Sequence, residues 1–363
     1  MLHRLLHRVP VWALALPVLA VGALIASFQW APGPWGLGGV ALLLGGAVVA
    51  AVHHAEVIAH RLGEPLGTLV LALAVTVIEV ALIVTLMMVG GDRAAAVARD
   101  TVYAAVMIIC TGVLGLCLLV GGILHREQSF RVEGASAGFS ALLALTTLSL
   151  VLPTFTTSTP SGTYTVSQLV FAGLASAVLW LVFVFVQTVR HRDYFLPVAD
   201  RDDVDHHASP PSTGVAWLSL ALLVVSLVSV VGLAKLLSPV IERTVDEAGA
   251  PKALIGVVIA LLVLLPETVA ALRAAQANRL QTSFNLSIGS ALASIGLTIP
   301  AVAAVSVWLD LPLQLGVQGK DLVLLGLTFA VGTLTLAHGR TTIMQGAVHL
   351  VLFAAFLFLT LVP

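Results

Sequence analysis

Charge is what this chain has least of. Asp, Glu, Lys and Arg make up 10% of its 363 residues, against roughly 25% in soluble domains. Its 17 basic and 18 acidic side chains are too few to clothe a soluble surface of that length. A net charge of −1 leaves no basic field for a nucleic acid. Cysteine is nearly absent too. Cys110 and Cys117 lie seven positions apart on one apolar run, about 10 Å along a helix, too far to bridge. What remains is apolar: 59% of residues are hydrophobic and mean hydropathy is +1.07. The fold class that follows is an all-α integral membrane protein.

A spanning helix needs about 20 predominantly apolar residues. Runs of that kind lie near 9–29, 36–58, 66–90, 101–124, 134–153 and 165–189, then 214–238, 252–276, 284–307, 319–338 and 342–362. That is eleven transmembrane helices. The first, preceded by Arg4 and Arg8, has the flanks of a signal peptide, but its apolar stretch is long for one and it is read as a retained helix. Lys and Arg are more numerous in the connections that share a side with the N-terminus, eleven against six. The expectation is therefore a cytoplasmic N-terminus and an external C-terminus.

The stretch 190–213, RHRDYFLPVADRDDVDHHASPPST, is the one strongly polar linker. It reads as a solvated cytoplasmic loop and divides the chain into an N-terminal transmembrane helix (1–33), a first five-helix repeat (34–190), the Asp/His-rich loop (191–213) and a second five-helix repeat (214–363). Five is odd, so two related units joined in sequence are inverted relative to each other, the plan of many secondary transporters.

Carboxylates are costly inside such helices, roughly 2.5–3.5 kcal/mol at a helix centre, and mark function. Glu79 lies in the middle of the third span and Glu267 deep within the eighth, each in the second helix of its half. Thr76 precedes Glu79 by one turn on the same face. Pro266 precedes Glu267 and leaves the carbonyl of Leu262 without its usual donor. The ninth span adds Asn285 and a face carrying Ser287, Ser290 and Ser294. Carboxylate, hydroxyl and carbonyl oxygens suit a hard cation such as Ca²⁺, while soft-metal ligands are missing at that depth. The expected metal ligands are Glu79 and Glu267; taken singly, the serines equally suit close helix packing.

HHAEVIAH places His53, Glu56 and His60 on one face at the cytoplasmic end of the second span. Their readings are interfacial solvation, an access or gating role, or a metal site, though the HExxH order is absent. Glu133, in RVEGASAG at the start of a span, is grouped with them as an access residue.

Four segments carry a family likeness: HHAEVIAHRLGEPLGTLVLALAVTVIEVALIV, RDTVYAAVMIICTGVLGLCLLVGG, HREQSF ahead of EGASA, and LLPETVAALRAAQANRLQTSFNLSIGSALASIGLTIP. They resemble the bacterial ChaA-type calcium/proton antiporters of the calcium/cation antiporter superfamily, over roughly residues 40–363. The resemblance implies one helix plus two inverted five-helix repeats, with a glutamate of each repeat, here Glu79 and Glu267, forming the central cation and proton site. It implies antiport of Ca²⁺ against H⁺ by alternating access, no cofactor beyond the transported ions, a bacterial inner membrane, lipid as surroundings, and no nucleic-acid partner. The chain departs from the wider family's Gly-Asn-x-x-Glu pattern, with Val75-Thr76 in the first repeat and Val263-Leu264 in the second. Leu264 offers no side-chain oxygen, so Na⁺ or K⁺ remains open as the cation. A membrane-embedded enzyme has no motif to support it.

Overall fold

The computed structural model describes residues 9–29, 32–63, 66–196, 211–317 and 319–362. It contains eleven helical spans: α1 (Val11–Ser27), α2 (Pro34–Leu62), α3 (Leu66–Gly90), α4 (Val97–His125), α5 (Val132–Phe155), α6 (Val166–Arg190), α7 (Thr213–Glu247), α8 (Ala253–Gln276), α9 (Leu280–Leu309), α10 (Lys320–Leu336) and α11 (Ile343–Leu361). Nine of them are long and apolar enough to cross a membrane among the described residues; α1 and α10 have 17 residues each. Every span read from hydropathy has its helix. Hydropathy did not reveal the π-helical turns at Ile108–Val113, Thr147–Val151 and Val186–Arg190, because they change the hydrogen-bond step and not the composition.

Local sequence sets the ends. Pro34 opens α2, where a missing N–H costs nothing, and Gly63, at φ 68°, closes it. Capping boxes start α6 (Thr165, Gln168) and α11 (Thr342, Gln345). Asn278, at φ 59°, turns the chain out of α8, a left-handed position that asparagine tolerates.

The helices form two compact units. One contains α1, α2, α3 and α7. Here α2 and α7 run antiparallel, with Arg61 Nη2 donating to Thr213 Oγ1 at 3.0 Å. Val9, Ala13 and Val215 form a buried cluster beside Leu14, Val57 and Leu218. Both long helices, of 29 and 35 residues, exceed the length a ~30 Å hydrocarbon core requires. Exposed Trp12 and Trp217 mark one end and Trp35 the other, where amphipathic rings favour the lipid–water boundary.

The second unit contains α4–α6 and α8–α11, so each unit draws on both sequence halves. The pairs β1 (Gln128–Ser129) and β2 (Arg340–Thr341) form a short antiparallel ladder. An extended segment joins α9 to α10: Gln314 N–H donates to Ala95 O, and the amides of Leu315 and Gly316 donate to Gly162 O, each at 2.9 Å. Of the stretch expected to be a solvated loop, Arg192–Phe195 instead forms a short helical turn. Its Phe195 packs against Phe183 at 5.8 Å, because one aromatic in that polar run has an apolar surface within reach. Residues 197–210 of the loop, and Arg4, Arg8 and Glu64, lie outside the described residues.

With no hydrophobic drive between helices in lipid, close packing at small residues holds them together. At Gly256 of α8 an added Cβ would lie 2.6 Å from the carbonyl carbon of Asp100 in α4, so two backbones touch there. Gly289 of α9 has nothing within 4 Å of the same position. Gly256→Ala should therefore lower the thermal unfolding midpoint in detergent, at a cost of about 1–3 kcal/mol from overpacking. Gly289→Ala should hold or raise it.

Candidate functional site

In the first unit Glu79 is 2% exposed and Thr76 5%, on the same side of α3 as buried Ile83 and Leu86. The Thr76 hydroxyl donates to Ala72 O at 2.8 Å. Its proton is thereby occupied and its oxygen lone pairs are left as acceptors. That is the orientation a cation ligand requires.

In the second unit Glu267 is half-buried on α8. α8 and α9 form an antiparallel hairpin whose register is set by Ser283 Oγ donating to Ala271 O at 2.6 Å. Counting back along α8 and forward along α9 from that bond brings Ser287 to the depth of Glu267. Ser287 is 2% exposed and its hydroxyl has no hydrogen-bond partner in the protein, an unusual state for a buried polar atom. Half-buried Ser290 lies about one turn further along the same helix.

Asn285 is placed differently from the sequence expectation. Its Nδ2 donates to Phe195 O at 2.5 Å, and its Oδ1 accepts from Gln281 Nε2 at 3.0 Å. One end of the amide thus anchors the turn after α6, and the other is held within α9 by Gln281. The carbonyl of Leu262 stands four residues before Pro266 inside the continuous helix α8, where the proline offers it no N–H.

On α2, Glu56 and His60 are exposed and His53 is half-buried. The His53 ring packs on Trp12 of α1, centroids 4.9 Å apart. Its neighbour His54, which the spacing argument passed over, is fully buried. Glu133 is exposed in the first turn of α5. Among the described residues no group of three or more His, Cys, Asp or Glu is suited to hold a metal.

The segments HREQSF and QANRLQTSFN acquire a physical role. The last carbonyls of any helix lack intrahelical donors. At the end of α8, Gln128 Nε2 donates to Ala275 O at 2.9 Å and to Asn278 Oδ1 at 3.0 Å, and His125 Nε2 donates to Gln276 O at 2.9 Å. Arg131 N–H donates to Gln281 Oε1 at 2.7 Å, and the rings of Phe130 and Phe284 meet edge-on at 4.8 Å. Together they staple the base of the hairpin that carries Glu267 and Ser287. Periodicity cannot reveal this, since the partners lie about 150 positions apart. A second buried histidine, His349, donates from Nδ1 to Cys110 O at 2.7 Å, and its Nε2 lies 3.0 Å from Thr335 Oγ1. The acceptor carbonyl belongs to the π-helical turn of α4.

The profile of the sodium/calcium exchanger protein family matches residues 32–189 and 218–362. The chain belongs to that family. It is 53% identical over 325 residues to the putative ionic transporter y4hA of Sinorhizobium fredii, covering 88% of this chain and 87% of the relative. It is 34% identical over 351 residues to the sodium-potassium/proton antiporter ChaA of Escherichia coli, covering 95% and 94%. Among solved structures, the Ca²⁺/H⁺ antiporter YfkE superposes with a TM-score of 0.74 at 16% identity, over 97% of this chain and 99% of that one. At that identity the likeness concerns the fold. The protein is thus a multi-pass membrane exchanger of cations, not an enzyme, with the family's one-plus-five-plus-five arrangement of helices.

The unpartnered hydroxyl of Ser287 makes one stability prediction. Ser287→Ala removes a buried polar group with no hydrogen bond to lose, so the unfolding midpoint in detergent should be unchanged or raised. A fall matching a stability loss above about 1 kcal/mol would show that the hydroxyl is paired in the folded protein.

Proposed function

We propose that this exchanger moves Ca²⁺ out of the cytoplasm against H⁺ by alternating access, with Glu79 and Glu267 as its ion-binding carboxylates. The observation that carries the reading is Glu79, 2% exposed in the middle of a 25-residue apolar helix. An ionised carboxylate this far from water is expensive, and binding a counter-charge lowers that cost. A proton does so, and so does a bound cation. The two therefore compete for the same oxygens, and alternating exposure of those oxygens couples the two fluxes without a resident cofactor.

The oxygens near each carboxylate support a hard cation. Thr76 presents lone pairs on the Glu79 face, and Ser287, with Ser290 beyond it, stands at the depth of Glu267. The Leu262 carbonyl completes the set, since backbone oxygen freed at membrane depth is tolerated where it serves an ion or a cavity. Exposed Glu56 and His60 with half-buried His53, together with exposed Glu133, supply hydrated access from the cytoplasmic side. The orientation is N-terminus inside and C-terminus outside, in a bacterial inner membrane.

A second reading keeps the mechanism and changes the cargo to Na⁺ or K⁺. It is favoured by the relative at 34% identity, a sodium-potassium/proton antiporter, and by Leu264, which lacks the side-chain oxygen a divalent site would use.

Proteoliposomes holding a preformed ΔpH separate these readings on addition of Ca²⁺, Na⁺ or K⁺. Wild type is expected to collapse the gradient with Ca²⁺, while Glu79→Gln and Glu267→Gln each lose the response although still folded. Collapse with Na⁺ or K⁺ alone would transfer the assignment to the monovalent cation. Full activity of both single variants would remove the carboxylates from the mechanism. Ser287→Ala should retain exchange but need about 3–10-fold more cation for half-maximal rate, the loss of one ligand oxygen.

A further inference from the structure

Helix α1 lies wholly outside the residues that match the exchanger family, yet it is held in the first unit by a specific device. Pro17 sits inside α1. A proline has no N–H, so the carbonyl four residues earlier, that of Ala13, has no donor within its own helix. In an aqueous protein, water would answer it; in a bilayer an unmet carbonyl costs several kcal/mol. In this protein the donor comes from α2: His54 Nε2 lies 2.9 Å from Ala13 O. A carbonyl only accepts, so Nε2 carries the proton and the other ring nitrogen, Nδ1, is bare. Nδ1 is buried with no partner, so the contact to Ala13 is the hydrogen bond that occupies this ring.

The surroundings are consistent with a keyed dock. Both Ala13 and His54 are fully buried. Ala13 belongs to the cluster with Val9 and Val215, flanked by Leu14, Val57 and Leu218. His53 closes the side of the contact with its ring on Trp12. Further along α1, Leu24 lies against Gly232 of α7 at a point where a Cβ would come within 2.5 Å. Apolar packing holds α1 along its length, and the proline-freed carbonyl adds a directional contact that fixes its rotation and its level along α2.

We propose that His54 is the receptor for α1, and that Pro17 and His54 act as one unit: the proline creates the vacancy and the histidine fills it. The dock fastens an accessory helix to the exchanger and takes no part in ion exchange.

The unit makes the two positions thermodynamically coupled, which a double-mutant cycle measures. The readout is hydrogen–deuterium exchange of residues 11–16 in lipid nanodiscs, with cation-driven ΔpH collapse followed in parallel. His54→Leu should speed exchange in that peptide about 3–15-fold, the range expected for one intramembrane hydrogen bond. Pro17→Ala gives Ala13 O its own helical donor, so the double variant Pro17→Ala/His54→Leu should recover most of the lost protection. His54→Gln, which retains an N–H donor, should recover part of it even with Pro17 in place. ΔpH collapse should match wild type in all of them. Equal loss of protection from His54→Leu with and without Pro17 would overturn the proposal. So would loss of transport with unchanged protection of α1, which would make His54 an ion-pathway residue. If His54→Leu does not fold, Pro17→Ala alone still decides: with Pro17 replaced, His54→Gln must become indistinguishable from His54.

Discussion

In a bilayer no water answers a backbone carbonyl, and this constraint organises the structure beyond making it helical. At several interruptions and helix ends, a side chain from elsewhere in the same unit meets the freed group. Pro17 frees Ala13 O, and His54 meets it. The π-helical turn of α5 gives Thr147 O the N–H of Leu152; the next donor in that register is Pro153, and Tyr164 donates to Leu148 O at 2.7 Å instead. That burial pushes the phenol of Tyr164 up from its usual range. His349 meets Cys110 O in the π turn of α4, Gln128 and His125 meet the end of α8, and Lys320 meets Leu359 O near the end of α11.

Set against this economy, two features bear on the proposed ion site. Glu79 is a carboxyl buried in the middle of an apolar helix. Ser287 is a buried hydroxyl at the depth of Glu267 with no partner, a state it shares with Ser149, Ser176, Ser219, Ser226 and Ser238. Both are oxygens that the proposed exchange mechanism uses. The amide staple at the base of the α8–α9 hairpin ties together the two helices that carry Glu267 and Ser287.

Much of this was legible in the chain. Eleven spans, the central glutamates and the family likeness follow from hydropathy, from the cost of carboxylates in lipid, and from short segments such as HREQSF. The site was legible only in part. Glu79, Thr76 and Ser287 are buried, whereas Asn285 is spent on Phe195 O and Gln281. Among the histidines, spacing singled out the solvent-side face and missed His54. Pro17 was the available signal: a proline inside a spanning helix asks for a donor about one helix away.

Composition and periodicity determined that the chain spans a membrane, how often, and which carboxylates lie far from water, because those properties depend on residues close together in sequence. Which carbonyl each histidine, glutamine or tyrosine satisfies was decided by tertiary structure alone. Those bonds join positions separated by 41 residues for Ala13 and His54, 147 for Gln128 and Ala275, and 239 for Cys110 and His349. A local pattern records that a donor is needed; only the packing of helices brings one within 3 Å.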